Sequence, residues 1–176
     1  GYLFPDTYLI PREATIDQVV SLLTNTFENK FAGLDISKSN FTQEELVIIA
    51  SMIEREAKRA EDRPKVASVI INRLNLGMKL DIDATIQYAL GYQEDQKRWW
   101  KKGLTLEDLK LNSPYNTYRV AGLPPTPISN PGLESLRAAA NPVDTSYLFY
   151  ITDKDGINRY AEDLDGHNEN IRKYGL

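Results

Sequence analysis

The sequence predicts an α+β fold in which several helices pack on a small, mainly antiparallel sheet. Three observations favour this class: apolar residues recur at helical spacing in several capped segments, short β-branched and aromatic runs occur near both ends, and Asp155-Gly156 forms a hairpin turn signal. The chain has 176 residues and no cysteine, and at that length it buries a core without disulfide or metal staples. We therefore expect residues 1–176 to form one domain.

Four segments in the first half of the chain carry element signals. Tyr2 to Ile10 is rich in aromatic and β-branched residues, which predicts short strand pieces. Helix starts are indicated by two capping boxes and by a proline in a first turn: Thr15 with Gln18, Thr42 with Glu45, and Asp62 with Pro64. The first two helices should bury apolar stripes: Ile16, Val19, Val20, Leu23, Phe27 and Phe31 on one, and Leu46, Ile49, Ala50, Ile53 and Ala57 on the other.

The second half is predicted to be less regular. A short helix from Asp83 should end before Gly91, Thr105 with Asp108 starts a helical turn, and Leu111 to Pro131 is too rich in proline for regular structure. The remaining elements are a helix from Gly132 to Ala140 capped by Asn130, a strand from Tyr147 to Thr152, its partner from Asn158 to Ala161, and a closing helix from Asp165 to Tyr174. We expect the N-terminal strand to join this hairpin in one sheet.

Composition and missing motifs exclude several classes of function. The net charge of −4 argues against sequence-independent binding of nucleic acid. The single histidine, His167, has no G-x-S-x-G serine to serve, and there is no zinc, calcium or phosphate-loop motif. The longest strongly apolar stretch, Leu46 to Ile53, is far shorter than the roughly 20 residues of a membrane helix. Carboxylates remain as the candidate catalytic groups.

Two glutamates, Glu54 and Glu56, lie near the end of the second helix. They point about 200° apart, so they cannot face each other as a pair, and each borders apolar neighbours that would raise the pKa of a general acid. The alternative is structural, since Glu54 with Lys58 and Glu56 with Arg59 have the spacing of exposed helix pairs.

A second group of polar and aromatic residues has the composition of a sugar-binding site. Its members are Asp81, Asp83, Thr85, Gln87 and Tyr88 in one segment, and Ser113, Tyr115, Asn116, Thr117, Tyr118 and Arg119 in the proline-bounded loop. Some of these residues also have a structural alternative. Asp83 is equally suited to cap a helix, and Tyr115 and Tyr118 to lie in the core. His167 is equally suited to pack against its neighbours on a helix. Trp99-Trp100 is interpreted as a loop pair held at the surface, with contact to a ligand or partner as the alternative, and no site is assigned to the segment from Tyr92 to Lys102.

Five segments of this chain, in order, resemble the endolytic murein transglycosylases, the MltG/YceG-like family. They are GYLFPDTY, IASMIEREAKRAEDRPKVASVIINRLNLGMKL, DATIQYALG, SPYNTYRVAGLPPTPISNPG and AEDLDGHNENI. The resemblance implies cleavage of the β-1,4 bond between N-acetylmuramic acid and N-acetylglucosamine in peptidoglycan glycan strands, with a 1,6-anhydro-muramyl end and no cofactor or metal. A single carboxyl suffices, because the C6 hydroxyl of the substrate itself attacks C1.

The resemblance also implies roles for residues. Glu54 is expected to be the catalytic acid and base, with Glu56 and His167 in support. Substrate contacts are expected from the following residues: Asp83, Thr85, Gln87, Tyr88, Ser113, Tyr115, Asn116, Tyr118 and Arg119. Where the family commonly reads L-Q-x-D-P-T, this chain has Asp81 in place of Gln and Ala84 in place of Pro.

Further implications concern location and partners. Family members usually carry an N-terminal transmembrane helix and a LysM-like domain, so we expect an excised domain of a protein at the extracytoplasmic face of the membrane, acting beside glycan polymerases. Two alternatives remain at this point: a glycan-binding module that has lost activity, and a muramidase that admits water and leaves a reducing end.

Overall fold

The computed structural model describes residues 1–175 and confirms the α+β class. Within those residues six α-helices surround a two-stranded antiparallel sheet: α1 (Ile16–Ala32), α2 (Gln43–Glu56), α3 (Arg63–Asn75), α4 (Asp83–Leu90), α5 (Leu133–Ala140), β1 (Phe149–Thr152), β2 (Asn158–Ala161) and α6 (Leu164–Tyr174). Short 3₁₀ turns cover Ala60–Asp62 and Asp108–Lys110. None of the helices in the described part of the chain is both long and apolar enough to span a bilayer.

Helix α2 is the centre of the molecule. Every residue from Leu46 to Ile53 is buried, and the helix packs against α3, α4 and α5. The predicted stripe is therefore correct but too narrow, because neighbours cover this part of the helix on all sides. Full burial of one large apolar side chain contributes about 1.5–3 kcal/mol, so this segment holds much of the core together.

Both predicted capping boxes are present, and they fix where α1 and α2 begin. On α1, however, only the C-terminal part of the predicted stripe is buried. Phe27 and Phe31 stack with ring centroids 5.6 Å apart, whereas Ile16 and Val20 are 82% and 42% exposed. Helical periodicity identified the apolar face, but the core extends along only half of its length.

The predicted N-terminal strand is wrong. Residues 2–10 form no strand, because Phe4 turns into the core and its backbone N–H donates to the Leu23 carbonyl of α1 at 3.4 Å. The neighbouring Leu3 N–H donates to Asn130 Oδ1 at 3.1 Å. This contact occupies the side chain that was expected to cap α5, and Gly132 is the N-cap residue instead.

The hairpin near the C-terminus is confirmed. In its register Tyr150 lies opposite Tyr160, and Gly156 makes the turn with a positive φ of 76°. Helix α6 packs on both strands, and β1 contacts α3. The hairpin is thereby brought beside the C-terminal end of α2. The stretch from 111 to 132 contains no helix or strand, as its prolines predict.

Candidate active site

A cavity of about 640 Å³ lies between the helical core and the hairpin. Its walls come from the end of α2, one face of α3, the segment leading into α4, the proline-rich loop, β1 and α6. The polar lining residues are Glu56, Arg73, Asp81, Asp83, Tyr118, Tyr150, Thr152 and His167. Residues distant in sequence therefore share one concave surface, which is the usual form of a small-molecule or glycan site.

Glu56, the last residue of α2, places its carboxyl group in this cavity. Burial raises the pKa of Glu56, and the nearby charge of Asp83 adds to that rise. Two donors oppose it: the Tyr150 hydroxyl donates to Oε2 at 2.8 Å, and the Ala84 backbone N–H favours the charged form more weakly. Because burial outweighs them, Glu56 holds its proton to a higher pH than an ordinary glutamate.

Asp83 and Tyr118 form a second polar pair on the cavity wall. The Tyr118 hydroxyl donates to Asp83 Oδ1 at 2.6 Å, which ties the proline-rich loop to the first residue of α4. Burial of its ring and the acceptor at Asp83 raise the pKa of Tyr118, so its hydroxyl remains a donor. The pair holds an exposed carboxylate at a fixed place near Glu56.

Arg73 is buried, and its side chain connects the segment before β1 with the segment that leads into α4. Its guanidinium donates to the carbonyls of Leu148, Lys79 and Leu80 at 2.6, 3.0 and 2.9 Å. It also pairs with Asp81 at 3.0 Å. Asp81 thus places a carboxylate against Arg73, with the Asp81 backbone at a positive φ of 52°.

Glu54 lies outside the lining of this cavity. Its Oε2 accepts hydrogen bonds from the Gly132 backbone N–H at 3.0 Å and from the Ser135 hydroxyl at 2.7 Å. Both donors belong to the first turn of α5, where a carboxylate also interacts favourably with the helix dipole. In this structure the expected catalytic residue therefore connects two helices, while the expected supporting residue, Glu56, faces the cavity.

Several predicted sugar-binding residues make hydrogen bonds inside the protein. Thr85 and Asn116 are completely buried, and the Asn116 amide donates to the carbonyls of Leu109 and Leu111 at 3.0 and 2.7 Å. Thr85 bonds the Ile82 carbonyl at 2.6 Å. These two residues shape the loop and α4 and cannot reach a ligand in this conformation.

The remaining predicted residues divide between loop support and a second surface. Gln87 donates to the Lys101 carbonyl, Ser113 accepts from the Tyr115 N–H, and Arg119 donates to the Lys110 carbonyl. Tyr88 and Tyr115 pack together with ring centroids 5.0 Å apart, away from the large cavity. Of the nine expected substrate contacts, Asp83 and Tyr118 are the ones that line it.

His167 lines the cavity from α6, and its ring packs against Phe149 with centroids 5.2 Å apart. Burial lowers the pKa of His167, and the charge of Arg73 lowers it further. Its Nδ1 atom is buried and has no hydrogen-bond partner within residues 1–175. The histidine is thus a neutral group on the wall of the site, which is compatible with the supporting role expected of it.

Three polar residues of the site, Arg73, Tyr150 and Thr152, were not singled out from the sequence. Tyr150 and Arg73 read as a strand residue and an ordinary helix residue, and the contacts that place them in the cavity link positions 94 and 75 residues apart. No local pattern marks such contacts. No cluster of three or more His, Asp or Glu side chains suited to a metal ion occurs among the described residues.

Comparisons with known proteins agree on one relationship. The family model described as YceG-like matches residues 1–173. An endolytic murein transglycosylase of Bacillus subtilis is 35% identical over 99% of this chain and 47% of its own length, and one of Streptococcus pneumoniae is 32% identical over 99% and 32%. A crystal structure of a YceG-like protein from Listeria monocytogenes superposes with a TM-score of 0.84 at 34% identity, covering 96% of this chain and 53% of that one. The chain spans about half or less of the length of these relatives.

Proposed function

Since this chain belongs to the YceG-like family, we propose that it carries the catalytic site of a lytic transglycosylase that cuts peptidoglycan glycan strands. The names of the relatives from B. subtilis and S. pneumoniae support this class of activity. The bond we propose is the β-1,4 link between N-acetylmuramic acid and N-acetylglucosamine, and the product is a 1,6-anhydro-muramyl end.

The observation that carries the proposal is a carboxyl group with a raised pKa in a glycan-sized cavity. A general acid for glycoside cleavage near neutral pH needs a raised pKa, and burial gives Glu56 that property. Glu54 lies outside the cavity lining and already accepts two hydrogen bonds from α5. We therefore propose Glu56 as the acid, in place of the sequence-based expectation of Glu54, and a helix-connecting role for Glu54.

The proposed reaction needs one carboxyl group and no water. Glu56 donates its proton to the glycosidic oxygen while the bond from that oxygen to C1 of the muramyl residue breaks. The C6 hydroxyl of the same sugar then attacks C1, and its proton passes to the Glu56 carboxylate. The cycle returns Glu56 to its protonated form, and strand cleavage is balanced by closure of the anhydro ring. Asp83, held by Tyr118, supplies negative charge near the cationic transition state.

A hydrolase is the second candidate function, and one observation favours it. Asp81 and Asp83 line the same cavity as Glu56, so a carboxylate is available to activate water. Hydrolysis would leave a reducing muramyl end, which is heavier by one water than the anhydro product.

The decisive experiment compares Glu56→Gln with Glu54→Gln in digests of uncrosslinked glycan strands, with the new ends identified by mass spectrometry. We expect Glu56→Gln to lower kcat by about 10²–10⁴-fold, because proton transfer contributes that much. Glu54→Gln keeps one acceptor oxygen for α5 and should retain most of the activity. The reverse result would restore Glu54 as the acid. Hydrated ends would indicate the hydrolase, and strand binding without cleavage by the wild type would indicate a binding module.

The setting of the activity is part of the proposal. A glycan-cleaving site implies action on the cell wall, outside the cytoplasmic membrane. Membrane anchoring, a preceding LysM-like domain and cooperation with glycan polymerases stay predictions from the family resemblance.

A further inference from the structure

A second cavity, of about 420 Å³, is lined by four apolar side chains: Tyr88, Trp99, Trp100 and Ile128. We call it the aromatic pocket. Trp99 is 66% exposed and Tyr88 is 39% exposed, so two large ring surfaces face solvent in a concave site. Exposed aromatic surface grouped in this way is typical of a binding site, because covering it with a ligand removes apolar area from water.

The loop that carries the tryptophans is held in place. Gln93 and Arg98 form a short antiparallel bridge, with N–H to carbonyl distances of 2.7 and 3.2 Å. The Lys101 carbonyl accepts from the Gln87 amide of α4 at 2.8 Å, and the Lys101 ammonium pairs with Asp108 at 2.7 Å. That pairing, with hydrogen bonds from Thr105, lowers the pKa of Asp108 to about 2, so this carboxylate stays charged at neutral pH.

The rings of the pocket are also oriented by neighbours. Tyr92 meets Trp99 edge to face with centroids 5.5 Å apart, and the Arg55 guanidinium lies 3.8 Å from the centre of the Trp100 ring. Tyr88 rests on Tyr115. A ligand thus meets surfaces that are already ordered, and binding loses little side-chain entropy.

The aromatic pocket and the catalytic cavity are connected through two helices. On α2, Arg55 supports Trp100 and the next residue, Glu56, lines the catalytic cavity. On α4, Asp83 lines the catalytic cavity and Tyr88 lines the pocket. Five residues of helix correspond to about 7.5 Å along its axis and about 140° around it, so the two sites lie a short distance apart on different faces of α4.

We propose that the aromatic pocket is a subsite that binds a sugar ring of the glycan strand beside the bond being cut, an inference that rests on the proposed function. Aromatic faces bind the apolar C–H face of a pyranose ring. Within residues 1–175 no charged side chain lines the pocket, so it offers none of the partners that the carboxylates and amines of a peptide stem would need. It also lacks an acid or base, which assigns it to binding and not to bond cleavage.

The test measures kcat and KM of Trp99→Ala and Tyr88→Ala on uncrosslinked glycan strands. The matched control is Leu106→Ala, which removes another exposed apolar side chain, 80% exposed, from the neighbouring segment. Loss of one ring contact should raise KM about three- to tenfold with kcat unchanged, because the pocket contacts substrate away from the reacting atoms. Unchanged KM in both variants would overturn the subsite.

Binding is measured separately, so that failure of the proposed function is distinguishable from failure of the pocket. The chain has two tryptophans, both in the pocket, and their fluorescence reports occupancy when glycan strands are added to the Glu56→Gln variant. Saturable quenching that needs higher strand concentrations in Glu56→Gln with Tyr88→Ala, which keeps both tryptophans, supports the pocket even if the wild type cuts nothing. Absence of quenching up to the highest soluble strand concentration refutes it.

Discussion

At the scale of single residues, Glu54 and Glu56 differ in what surrounds their carboxyl groups. Two positions apart on a helix, they point in nearly opposite directions. The Glu54 carboxylate accepts hydrogen bonds from a backbone N–H and a hydroxyl at the start of α5. The Glu56 carboxyl group lies at the cavity wall, where its hydrogen bonds do not offset the rise in pKa that burial causes. The same residue type therefore connects two helices at one position and, in the proposed mechanism, donates a proton at the other.

The raised pKa of Glu56 predicts a pH-dependent cost to stability. In the unfolded chain the group titrates near its ordinary value of 4.5, whereas in the folded protein it holds the proton to higher pH. The free energy of unfolding therefore falls as pH rises from 4.5 through the folded pKa. Glu56→Gln cannot titrate, so its Tm should exceed that of the wild type more at neutral pH than at about pH 4. Exposed Glu28→Gln is the control, and a pH-independent difference would contradict the assignment.

Tyr150 also affects the pKa of Glu56, and removal of its hydroxyl group gives a second prediction. Its hydrogen bond favours charged Glu56, so Tyr150→Phe should raise the pKa of Glu56 further. Activity requires the protonated acid, and the alkaline limb of the kcat profile should move to higher pH. Tyr147→Phe serves as the control, because Tyr147 stacks on Tyr160 instead. A shift to lower pH would mean that Glu56 is not the acid being titrated.

At the scale of elements, the sequence predicted the helices better than the contacts between them. Capping boxes at Thr15 and Thr42 and the turn at Gly156 are local signals, and all three appear in the structure. The N-terminal strand failed because strand propensity does not say whether a partner edge is within reach, and Phe4 found a place in the core instead. The helix pattern alone left Glu54 and Glu56 as alternatives, because the residues that surround their carboxyl groups belong to α5 and the hairpin, which are remote in the chain.

One buried hydroxyl joins α2 to the proline-rich loop. Ser51 is fully buried, and its Oγ donates to the Ile48 carbonyl at 2.7 Å and accepts from the Ile128 N–H at 3.0 Å. Ser51→Ala leaves that N–H buried without a partner, which costs about 1–3 kcal/mol and should lower Tm by roughly 2–10 °C. Thermal unfolding beside the exposed Ser21→Ala variant checks this, and equal Tm values would show that the loop finds another acceptor.

At the scale of the whole molecule, the large cavity depends on docking of the hairpin against the helical core. Arg73 of α3 donates to the Leu148 carbonyl, just before β1, and Asn72 of the same helix donates to two further carbonyls of the preceding segment. Tyr150 of β1 then meets Glu56 across the cavity. The surroundings of Glu56 thus depend on several hydrogen bonds between α3 and the segment that leads into the hairpin.

The backbone contacts of Arg73, more than its ion pair, should determine how firmly the hairpin is docked. The side chain of Asp81 is 42% exposed, so solvent screens the pair, and Asp81→Asn should cost no more than about 1 kcal/mol while Asn tolerates the positive φ. Arg73→Leu removes every hydrogen bond to the carbonyls and should cost at least about 3 kcal/mol, since each charge-assisted bond contributes roughly 1.5–3 kcal/mol and such bonds are not additive. Urea unfolding of the two variants measures both losses, and kcat of Arg73→Leu should fall because β1, one wall of the cavity, is no longer held against the helices. Equal losses of unfolding free energy in the two variants would show that the ion pair with Asp81, and not the hydrogen bonds to the carbonyls, holds the hairpin against the helices.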